Sequence, residues 1–404
     1  MQNDTGLTPI FYVRGMNEPV TEGHIQIIDN FVKALSIQKI ESIVFNYKYR
    51  TAENGNHGNF LGKRFEQRIP LVGRENLLHK KANLRVAYCS LMETASSIRF
   101  ILTEKRLRSA GRHYVTNVVN CFRYPRILAQ PFLKTPLVVH FYMRGRSEGR
   151  FFKIILDKAD KIVASSKIIA NHLQKTHNIE AEKIIVLYPP IDVNFYRPIS
   201  KLQSRKSLGL SEKEKILLYV GNIGKSRFTE QIVLPMFQSL SKYIPMIRLI
   251  VLAPKNLENI LRSEEIRSKA RQLNIENLVK VSVQNLAPNE KRMFYSLSDI
   301  FIFPSTDEGI VTEPPITILE AMASSLPVFS NDLSSLREII TDGKNGIITS
   351  FDKEREQMTN KIAFYLKNEE ILKSISFKSR QYIVDKMSLE TSGKKIRQVY
   401  EGLF

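Results

Sequence analysis

The sequence predicts an α/β protein made of two doubly wound domains, each built on a parallel β-sheet. Short apolar, β-branched runs recur along the whole chain, and they are too apolar for strands with one solvent-facing side. Segments of helical periodicity fill the gaps between these runs. Strand and helix alternating over the full length indicate right-handed crossovers, with helices covering both faces of each sheet.

In chain order, the apolar runs predict strands at Ile10–Val13, Ser42–Asn46, Leu84–Tyr88, Leu137–Phe141, Lys161–Ala164, Ile184–Leu187, Ile216–Val220, Arg248–Leu252, Leu278–Val283, Ile300–Phe303 and Pro327–Ser330. Helical periodicity is clearest at His24–Leu35, Thr229–Leu240, Leu257–Leu273, Asn289–Leu297 and Thr317–Ala323. These helices fall between successive strands, as the crossover connections of a parallel sheet require.

A proline-rich stretch predicts the boundary between the two domains. It reads Tyr188-Pro-Pro-Ile-Asp-Val-Asn-Phe-Tyr-Arg-Pro198, followed by a charged polar run and a new strand near Lys215. Prolines exclude regular elements here, and the charges suit an exposed connection. We predict an N-terminal domain at 1–197 and a C-terminal domain at 198–385, followed by a C-terminal helix at 386–404. Ligands of open parallel sheets bind outside the carboxyl ends of the strands, so the expected site is a cleft between the domains.

The charge is strongly positive and unevenly distributed. The formal net charge is +20. Residues 1–195 carry 29 basic against 16 acidic residues, and 61–130 alone carry 14 against 4. This asymmetry indicates either an anionic partner of the N-terminal half or a solvated, lysine-rich surface.

The remaining composition predicts a protein of a reducing compartment. Met1–Gly15 lacks the basic and apolar regions of a secretory signal, and no apolar stretch is long enough to span a membrane. The two cysteines, Cys89 and Cys121, have no metal-type spacing and do not indicate a disulfide framework. We therefore expect a cytoplasmic location, either soluble or peripheral on the inner face of the membrane.

The most informative segment runs from Phe301 to Asp332. A buried strand leads into an acidic loop and then into a helix that opens near Pro314–Thr317. Proline suits the first turn of a helix, and the free N–H groups at 316–318 form a site for a diphosphate. Glu320, one turn into the helix, is placed to accept hydrogen bonds from ribose hydroxyls. The alternative is an ordinary helix N-terminus with a favourable acidic first turn.

Further candidate residues follow other strands. Gly221 and Gly224 lie at a strand end beside Lys225 and Arg227, whose cations would neutralise a diphosphate or form plain surface charge. Gly23 and His24 close a glycine-bracketed loop after the first strand, where backbone approaches a ligand closely or simply turns. His140 lies near the end of the strand Leu137–Phe141; a lone histidine there is more often structural than functional.

Several segments together resemble the retaining glycosyltransferases of family four, also described as glycosyl transferases group 1. The resemblance is most specific in Pro304-Ser305 with its acidic loop, in Leu319-Glu-Ala-Met-Ala323 and in Leu326-Pro-Val328. Further matches are Val163-Ala-Ser-Ser166, Val186-Leu-Tyr-Pro-Pro-Ile-Asp192, Phe195-Tyr-Arg-Pro198, Leu217-Leu-Tyr-Val-Gly-Asn-Ile223 and Gly23. It is weak between about 50 and 130.

The resemblance implies a GT-B fold, with two facing Rossmann-like domains and a last helix that crosses back to the N-terminal domain. It also implies a hexosyltransferase that moves a sugar from a nucleoside diphosphate with retention at the anomeric carbon. The implied residues are Glu313, Arg227, Lys225 and His140 for catalysis, Gly221, Ile316, Thr317, Ile318 and Glu320 for the donor, and Gly23 and His24 for the acceptor and diphosphate loop. No cofactor is implied beyond the sugar nucleotide, and without an Asp-x-Asp triplet we expect no metal site.

Two positions depart from the family pattern. The family places two glutamates eight positions apart, but Thr312 stands eight before Glu320; we prefer Glu313, one residue later, over Glu308. Asn222 follows Gly221 where the family often has arginine, and the next basic position falls on Arg227.

The basic N-terminal half predicts the acceptor side. Segment 96–112 mixes apolar and basic residues at helical spacing, and aromatic and basic residues follow at 122–126 and 131–134. Basic amphipathic helices with aromatic flanks lie on anionic membranes. We expect peripheral contact with an anionic membrane and a lipid-linked or glycan acceptor.

Three other classes of protein are compatible with parts of the sequence. A nucleic-acid-binding protein would explain the charge, but no zinc spacing or RNP-like strand is present, so we expect no nucleic-acid partner. The irregular glutamate spacing and Asn222 also fit a non-catalytic nucleotide-sugar-binding partner. A nucleotide-sugar epimerase fits the 304–332 pattern less well.

Overall fold

A computed structural model describes residues 6–14, 23–49, 63–69, 101–102, 105–106, 113–119, 135–144, 150–228, 230–308, 312–351 and 355–404. The chain divides into two compact units. The N-terminal unit comprises Met1–Tyr188 and Leu389–Phe404, and the C-terminal unit comprises Pro189–Ser388. The predicted class is confirmed, because each unit contains a parallel β-sheet with helices between its strands.

Seven parallel strands form the sheet of the N-terminal unit within the described residues. Their order is β3-β2-β1-β4-β5-β6-β7, so the strand order reverses at the β1–β4 pair. The strands are β1 Leu7–Arg14, β2 Ile43–Tyr49, β3 Lys63–Ile69, β4 His113–Val119, β5 Leu137–Phe141, β6 Lys161–Ala164 and β7 Ile184–Val186.

Six parallel strands form the described sheet of the C-terminal unit. Their order is β10-β9-β8-β11-β12-β13, which is the Rossmann order with its switch point between β8 and β11. The strands are β8 Lys215–Val220, β9 Ile247–Ala253, β10 Val279–Val283, β11 Ile300–Phe303, β12 Val328–Ser330 and β13 Ile347–Ile348.

Twelve helices accompany these strands in the described parts of the chain. They are α1 Gly23–Ile37, α2 Arg150–Lys158, α3 Lys167–His177, α4 Lys201–Lys206, α5 Glu230–Tyr243, α6 Leu257–Gln272, α7 Pro288–Leu297, α8 Ile316–Ala323, α9 Ser334–Arg337, α10 Arg355–Lys367, α11 Glu369–Met387 and α12 Leu389–Glu401.

The central strands are mostly apolar because helices cover both faces of the sheets. Every residue of β5 and β11 is buried, as are all but the first residue of β8. Local signals set where helices begin. Ser166 accepts a hydrogen bond from the N–H of Ile169 at the start of α3, and Asn256 accepts one from Asn259 at the start of α6.

The C-terminal helix α12 packs against α1 of the N-terminal unit. A Cβ atom added to Gly393 would lie 2.5 Å from the carbonyl oxygen of Ala34, so the two helices approach too closely for any side chain at that position. Tyr400, also on α12, is fully buried and donates a hydrogen bond to Asn117 of β4 over 2.7 Å.

Three strands were not among those predicted, namely β3, β4 and β13. Other predictions lie outside the described residues, including the strand Leu84–Tyr88, both cysteines and nearly all of segment 96–112, with the aromatic segments at 122–126 and 131–134. No helix in the described part of the chain has the length and apolarity needed to cross a membrane.

Candidate functional site

The candidate site lies at the carboxyl edge of the second sheet, where β8 and β11 are neighbours. These two parallel strands end at Val220 and Phe303, so the loops that follow them emerge side by side. The pair is the switch point of this sheet, the place where open α/β sheets bind ligands. One loop carries Gly221, Lys225 and Arg227, and the other leads towards Glu313 and α8.

The loop after β8 is fixed by hydrogen bonds to its own strand and to α6. Gly221 has a φ of +152°, and a Cβ there would lie 3.3 Å from the hydroxyl of Tyr219, so glycine suits the position. The Tyr219 hydroxyl donates to the carbonyl of Asn222. The Asn222 side chain accepts a hydrogen bond from Asn259 over 2.9 Å, so this departure from the family pattern serves to anchor the loop.

The two loops are joined through a single carbonyl group. The carbonyl oxygen of Ser226 accepts a hydrogen bond from the N–H of Thr306 over 2.9 Å and from the hydroxyl of Ser305 over 3.2 Å. These bonds hold the cationic loop, which follows β8 and carries Lys225 and Arg227, against the start of the acidic loop, which follows β11 and carries Asp307 and Glu308. The residues predicted from distant parts of the sequence are therefore brought to one edge of the sheet.

The two predicted cations differ in environment. Lys225 is exposed, whereas Arg227 is partly buried. Burial lowers the pKa of Arg227, and the nearby charges of Tyr219, Asp307 and Glu258 oppose that shift. Arg227 therefore remains a cation held between acidic groups, and its charge faces less competition from water than a fully exposed one.

Helix α8 begins at Ile316, immediately after Pro314 and Pro315, as the sequence predicted. The N–H of Ile318 bonds to the carbonyl of Pro315 over 3.1 Å. Among the described residues, the N–H groups of Ile316 and Thr317 have no acceptor, so these two carry the capacity of the helix start to bind an anion.

Glu320 lies in the second turn of α8 with its side chain fully buried. The ammonium of Lys291 donates to both carboxylate oxygens, over 3.0 and 3.1 Å, and the hydroxyl of Tyr295 donates to Oε2 over 2.7 Å. Both donors come from α7. Burying a carboxylate is costly without such partners, so these bonds offset the burial of Glu320.

The two other glutamates have different surroundings. Glu308 accepts hydrogen bonds from the N–H of Ser334 and from its hydroxyl, the latter over 2.6 Å, so it anchors the acidic loop to the start of α9. Glu313 is fully buried just before α8 and is joined to Pro314 by a cis peptide bond. Glu308 thus makes a structural contact, and the preference for Glu313 as the first glutamate stays a prediction.

The remaining predicted residues lie in the N-terminal unit. Gly23 and His24 are the first two residues of α1, and their side chains lie outside the described part of the chain. His140 has no exposed surface. Its Nε2 donates to Asn117 Oδ1 over 2.9 Å, and its Nδ1 accepts from the hydroxyl of Tyr142 over 3.1 Å. In this structure His140 is part of the sheet interior, and its contact with an acceptor stays a prediction.

Sequence reasoning missed Lys291, Tyr295, Ser226 and Asp307. Lys291 and Tyr295 are four positions apart on α7 and therefore share one helix face, a spacing that could have marked them as a pair. Nothing in the sequence links that pair to Glu320. Within the described part of the chain no three His, Cys, Asp or Glu side chains are grouped as a metal site, and the expectation that none is needed remains untested.

Comparison with known proteins agrees with this geometry. The family model described as glycosyl transferases group 1 matches residues 200–382. A D-inositol 3-phosphate glycosyltransferase of Mycobacterium marinum is 26% identical over 196 residues, which are 48% of this chain and 40% of that protein. One of Thermobispora bispora is 25% identical over 206 residues, 50% of this chain and 47% of that protein. Each match thus spans less than half of the relative's own length.

Solved structures match over nearly the whole chain. A glycosyltransferase from Rickettsia africae has a TM-score of 0.72 at 15% identity, covering 98% of each chain. Sucrose-phosphate synthase from Thermosynechococcus elongatus has a TM-score of 0.73 at 16% identity, covering 98% of this chain and 99% of its own. HepE of Anabaena, in complex with UDP and glucose, has a TM-score of 0.71 at 13% identity, with coverage of 98% and 99%.

These structures define the class of fold, which is that of the GT-B glycosyltransferases. Residues 200–382, which the glycosyl transferases group 1 model matches, contain the whole candidate site.

Proposed function

We propose that the protein transfers a sugar from a nucleoside-diphosphate donor to an acceptor and binds the donor at the β8–β11 edge. One observation carries the proposal: the carbonyl of Ser226 joins the cationic loop to the acidic loop at the switch point of the sheet. Two predicted cations, a helix start and two buried glutamates then belong to one region. This combination suits a ligand with both a diphosphate and a polyol.

Each part of the donor has a proposed partner. The diphosphate binds Arg227 and Lys225 together with the N–H groups of Ile316 and Thr317. The ribose hydroxyls donate to Glu320, and the donor sugar contacts Glu313. Gly221 lets the backbone approach the ligand.

The proposed reaction breaks the bond between the anomeric carbon and the diphosphate oxygen, and an acceptor oxygen bonds to that carbon on the same face. The proton of the acceptor hydroxyl passes to the departing phosphate oxygen, so no protein group needs to act as the base. Retention of configuration follows from attack on that face. The protein contributes positioning and cations that stabilise the charge developing on the leaving diphosphate.

The names of similar proteins support glycosyl transfer as the reaction. The curated relatives are named D-inositol 3-phosphate glycosyltransferases, and their similarity covers about half of this chain, 196 residues in one case and 206 in the other. HepE was solved with UDP and glucose, which supports a nucleoside diphosphate as one ligand of the fold. The sugar and the base of this chain's donor are left open by these names.

Ligand-induced thermal stabilisation tests the donor site. A ligand that binds only the folded state raises the unfolding midpoint, so we expect one of UDP, GDP and ADP to stabilise the protein, with CMP as the monophosphate comparison. Glu320→Ala and Arg227→Met should abolish most of this shift, whereas Glu276→Gln, at an exposed position outside the site, should retain it. A well-folded protein that none of the diphosphates stabilises would refute the proposal. Donor binding without transfer or hydrolysis would instead identify a non-catalytic nucleotide-sugar-binding protein.

For the acceptor, we propose a lipid-linked or glycan molecule presented at an anionic membrane on the cytoplasmic side. The support is the charge of 61–130, where 14 basic residues stand against 4 acidic ones. Sedimentation with anionic liposomes at low salt should retain the protein, and neutral liposomes should not. Binding to neither would remove the membrane from the proposal, and tight binding to arbitrary DNA or RNA at physiological salt would favour the nucleic-acid alternative.

A further inference from the structure

The buried carboxylate of Glu320 is held by two donors from one face of helix α7. Lys291 Nζ lies 3.0 and 3.1 Å from its two oxygens, and the Tyr295 hydroxyl lies 2.7 Å from Oε2. Lys291 and Tyr295 are one helical turn apart, so the same face of α7 presents both groups to the same carboxylate. Three hydrogen bonds from a single helix fix the plane of the carboxylate as well as its position.

The two donors have complementary properties. The side chain of Lys291 is 15% exposed, and its ammonium lies 5.9 Å from the centre of the Tyr196 ring, so it connects the buried carboxylate to the protein surface. Tyr295 is fully buried. Burial and the charge of Glu320 raise the pKa of Tyr295 well above 10, so its hydroxyl remains a hydrogen-bond donor throughout the physiological range.

We propose that Lys291 and Tyr295 are positioning residues, which hold the Glu320 carboxylate in the orientation that accepts hydrogen bonds from the ribose hydroxyls of the donor nucleotide. The proposal rests on the donor site proposed above and makes that site specific for ribonucleotides. A carboxylate has about four acceptor positions, so donors that fix its orientation are compatible with further bonds to a diol. An analogue that lacks the hydroxyl groups forgoes these hydrogen bonds to a charged acceptor, so the site should bind it less tightly.

A purely structural role predicts something different. If Lys291 and Tyr295 only packed α7 against α8, their substitution would destabilise the protein. The binding of every nucleotide would then weaken to the same extent. If they act through Glu320, their substitution affects only ligands that carry the ribose hydroxyls. Comparing two ligands that differ in those hydroxyls therefore separates the two roles.

The experiment is calorimetric titration of the full chain with the best-binding nucleotide among UDP, GDP and ADP, and with its 2′,3′-dideoxy form. The wild type should bind the ribonucleotide about tenfold or more tightly than the dideoxy form, as expected for a hydrogen bond to a charged group. Lys291→Met and Tyr295→Phe should bring this ratio close to one while leaving dideoxy binding within about twofold. Lys291→Arg should restore part of the discrimination. Lys378→Met, which changes an exposed lysine of α11, should behave as the wild type.

Other outcomes overturn the proposal in distinguishable ways. If the wild type binds the ribonucleotide and its dideoxy form equally well, Glu320 does not recognise the ribose hydroxyls. The proposed donor site is unaffected by that result. Discrimination that survives in both Lys291→Met and Tyr295→Phe rejects their positioning role alone. Absence of binding to all three nucleotides rejects the donor site and this inference together. Tyr295→Phe keeps the buried ring and Lys291→Met keeps the aliphatic stem, so both variants retain the packing of α7.

Discussion

His140 is held as a neutral ring by the groups around it. Asn117 Oδ1 can only accept, so His140 Nε2 carries the proton, and Nδ1 is left to accept from Tyr142. The ring also packs edge-on against Phe31 of α1, with ring centres 5.3 Å apart. Burial lowers the pKa of His140 from 6.5 to about 3. Protonating it in the folded state would place a charge where there is no water to solvate it.

This lowered pKa predicts an acid-sensitive N-terminal unit. The unfolded chain binds a proton below about pH 6.5, and the folded chain does not until about pH 3, so stability present above pH 6.5 is lost as the pH falls between these values. From pH 7.5 to 5 the wild type should lose about 2 kcal/mol through this residue, and His140→Gln should lack that component. Urea unfolding at a series of pH values measures it. His172→Gln, at a partly exposed position of α3, is the control, and an unchanged pH dependence in His140→Gln would show that the ring is accessible to protons.

The site residues show how far residue types alone can indicate chemistry. Arg227 and Glu320 were predicted from local patterns, a glycine-flanked cation after a strand and a glutamate one turn into a helix, together with the resemblance to the family. Asn222 was read as a departure from the pattern, yet it bonds to Asn259, which lies in α6, beyond strand β9. Lys291 could not be assigned because its partner Glu320 lies beyond the next strand.

Among the elements, α12 gives the sharpest test of packing. Gly393→Ala places a methyl group against the backbone of Ala34 on α1, and backbone cannot rotate away as a side chain does. We expect a loss of about 1–3 kcal/mol of stability, as for other overpacked contacts.

The matched control is Gly402→Ala, where the nearest atom to the added methyl group is 3.4 Å away. Gly402 lies just beyond the end of α12 and has no left-handed φ, so alanine there should be neutral or slightly stabilising because it restricts the unfolded chain. Thermal unfolding of the two variants compares them directly. Equal stability of both variants would show that α12 and α1 lie further apart than described.

Comparison of the predicted and observed strands shows which kinds of strand can be predicted from sequence. Continuous apolar runs such as β5, β8 and β9 were found because strands buried on both faces have no polar side to interrupt them. β3 was missed because four of its seven residues are charged, as suits the edge position it holds beside β2. β4 was missed because Thr116 and Asn117 interrupt it, and the partners of Asn117 Oδ1 come from distant parts of the chain, His140 and Tyr400. β13 has two residues, too few for any periodicity.

At the scale of the whole molecule, residues near the two ends of the C-terminal unit are hydrogen-bonded to each other. The N–H of Ile191 donates to the carbonyl of Met387 over 2.7 Å, and Ile191 pairs with Ser388 in a parallel bridge. Arg380 adds hydrogen bonds to the carbonyls of Val193 and Tyr196, which lie in the first connection of the unit. Adjacent ends of this kind are typical of a domain that folds as a unit of its own.

We therefore expect a fragment of residues 189–388 to fold independently and to bind the donor nucleotide. All of the proposed donor residues lie within it, so the same nucleotide should raise its unfolding midpoint as in the full chain. Glu320→Gln in the fragment should reduce that shift. A folded fragment that no longer responds to the nucleotide, beside a full chain that does, would mean that the N-terminal unit contributes to the donor site.

The position of α12 has a consequence for how the protein is made. Synthesis of residues 189–388 takes roughly 10–40 s at ordinary elongation rates. Throughout this time the N-terminal unit has left the ribosome without the helix that covers α1 and without Tyr400, the partner of Asn117. The C-terminal unit is therefore complete before the N-terminal one, and a nascent chain released early would expose an apolar face of α1 for chaperones or proteases to recognise.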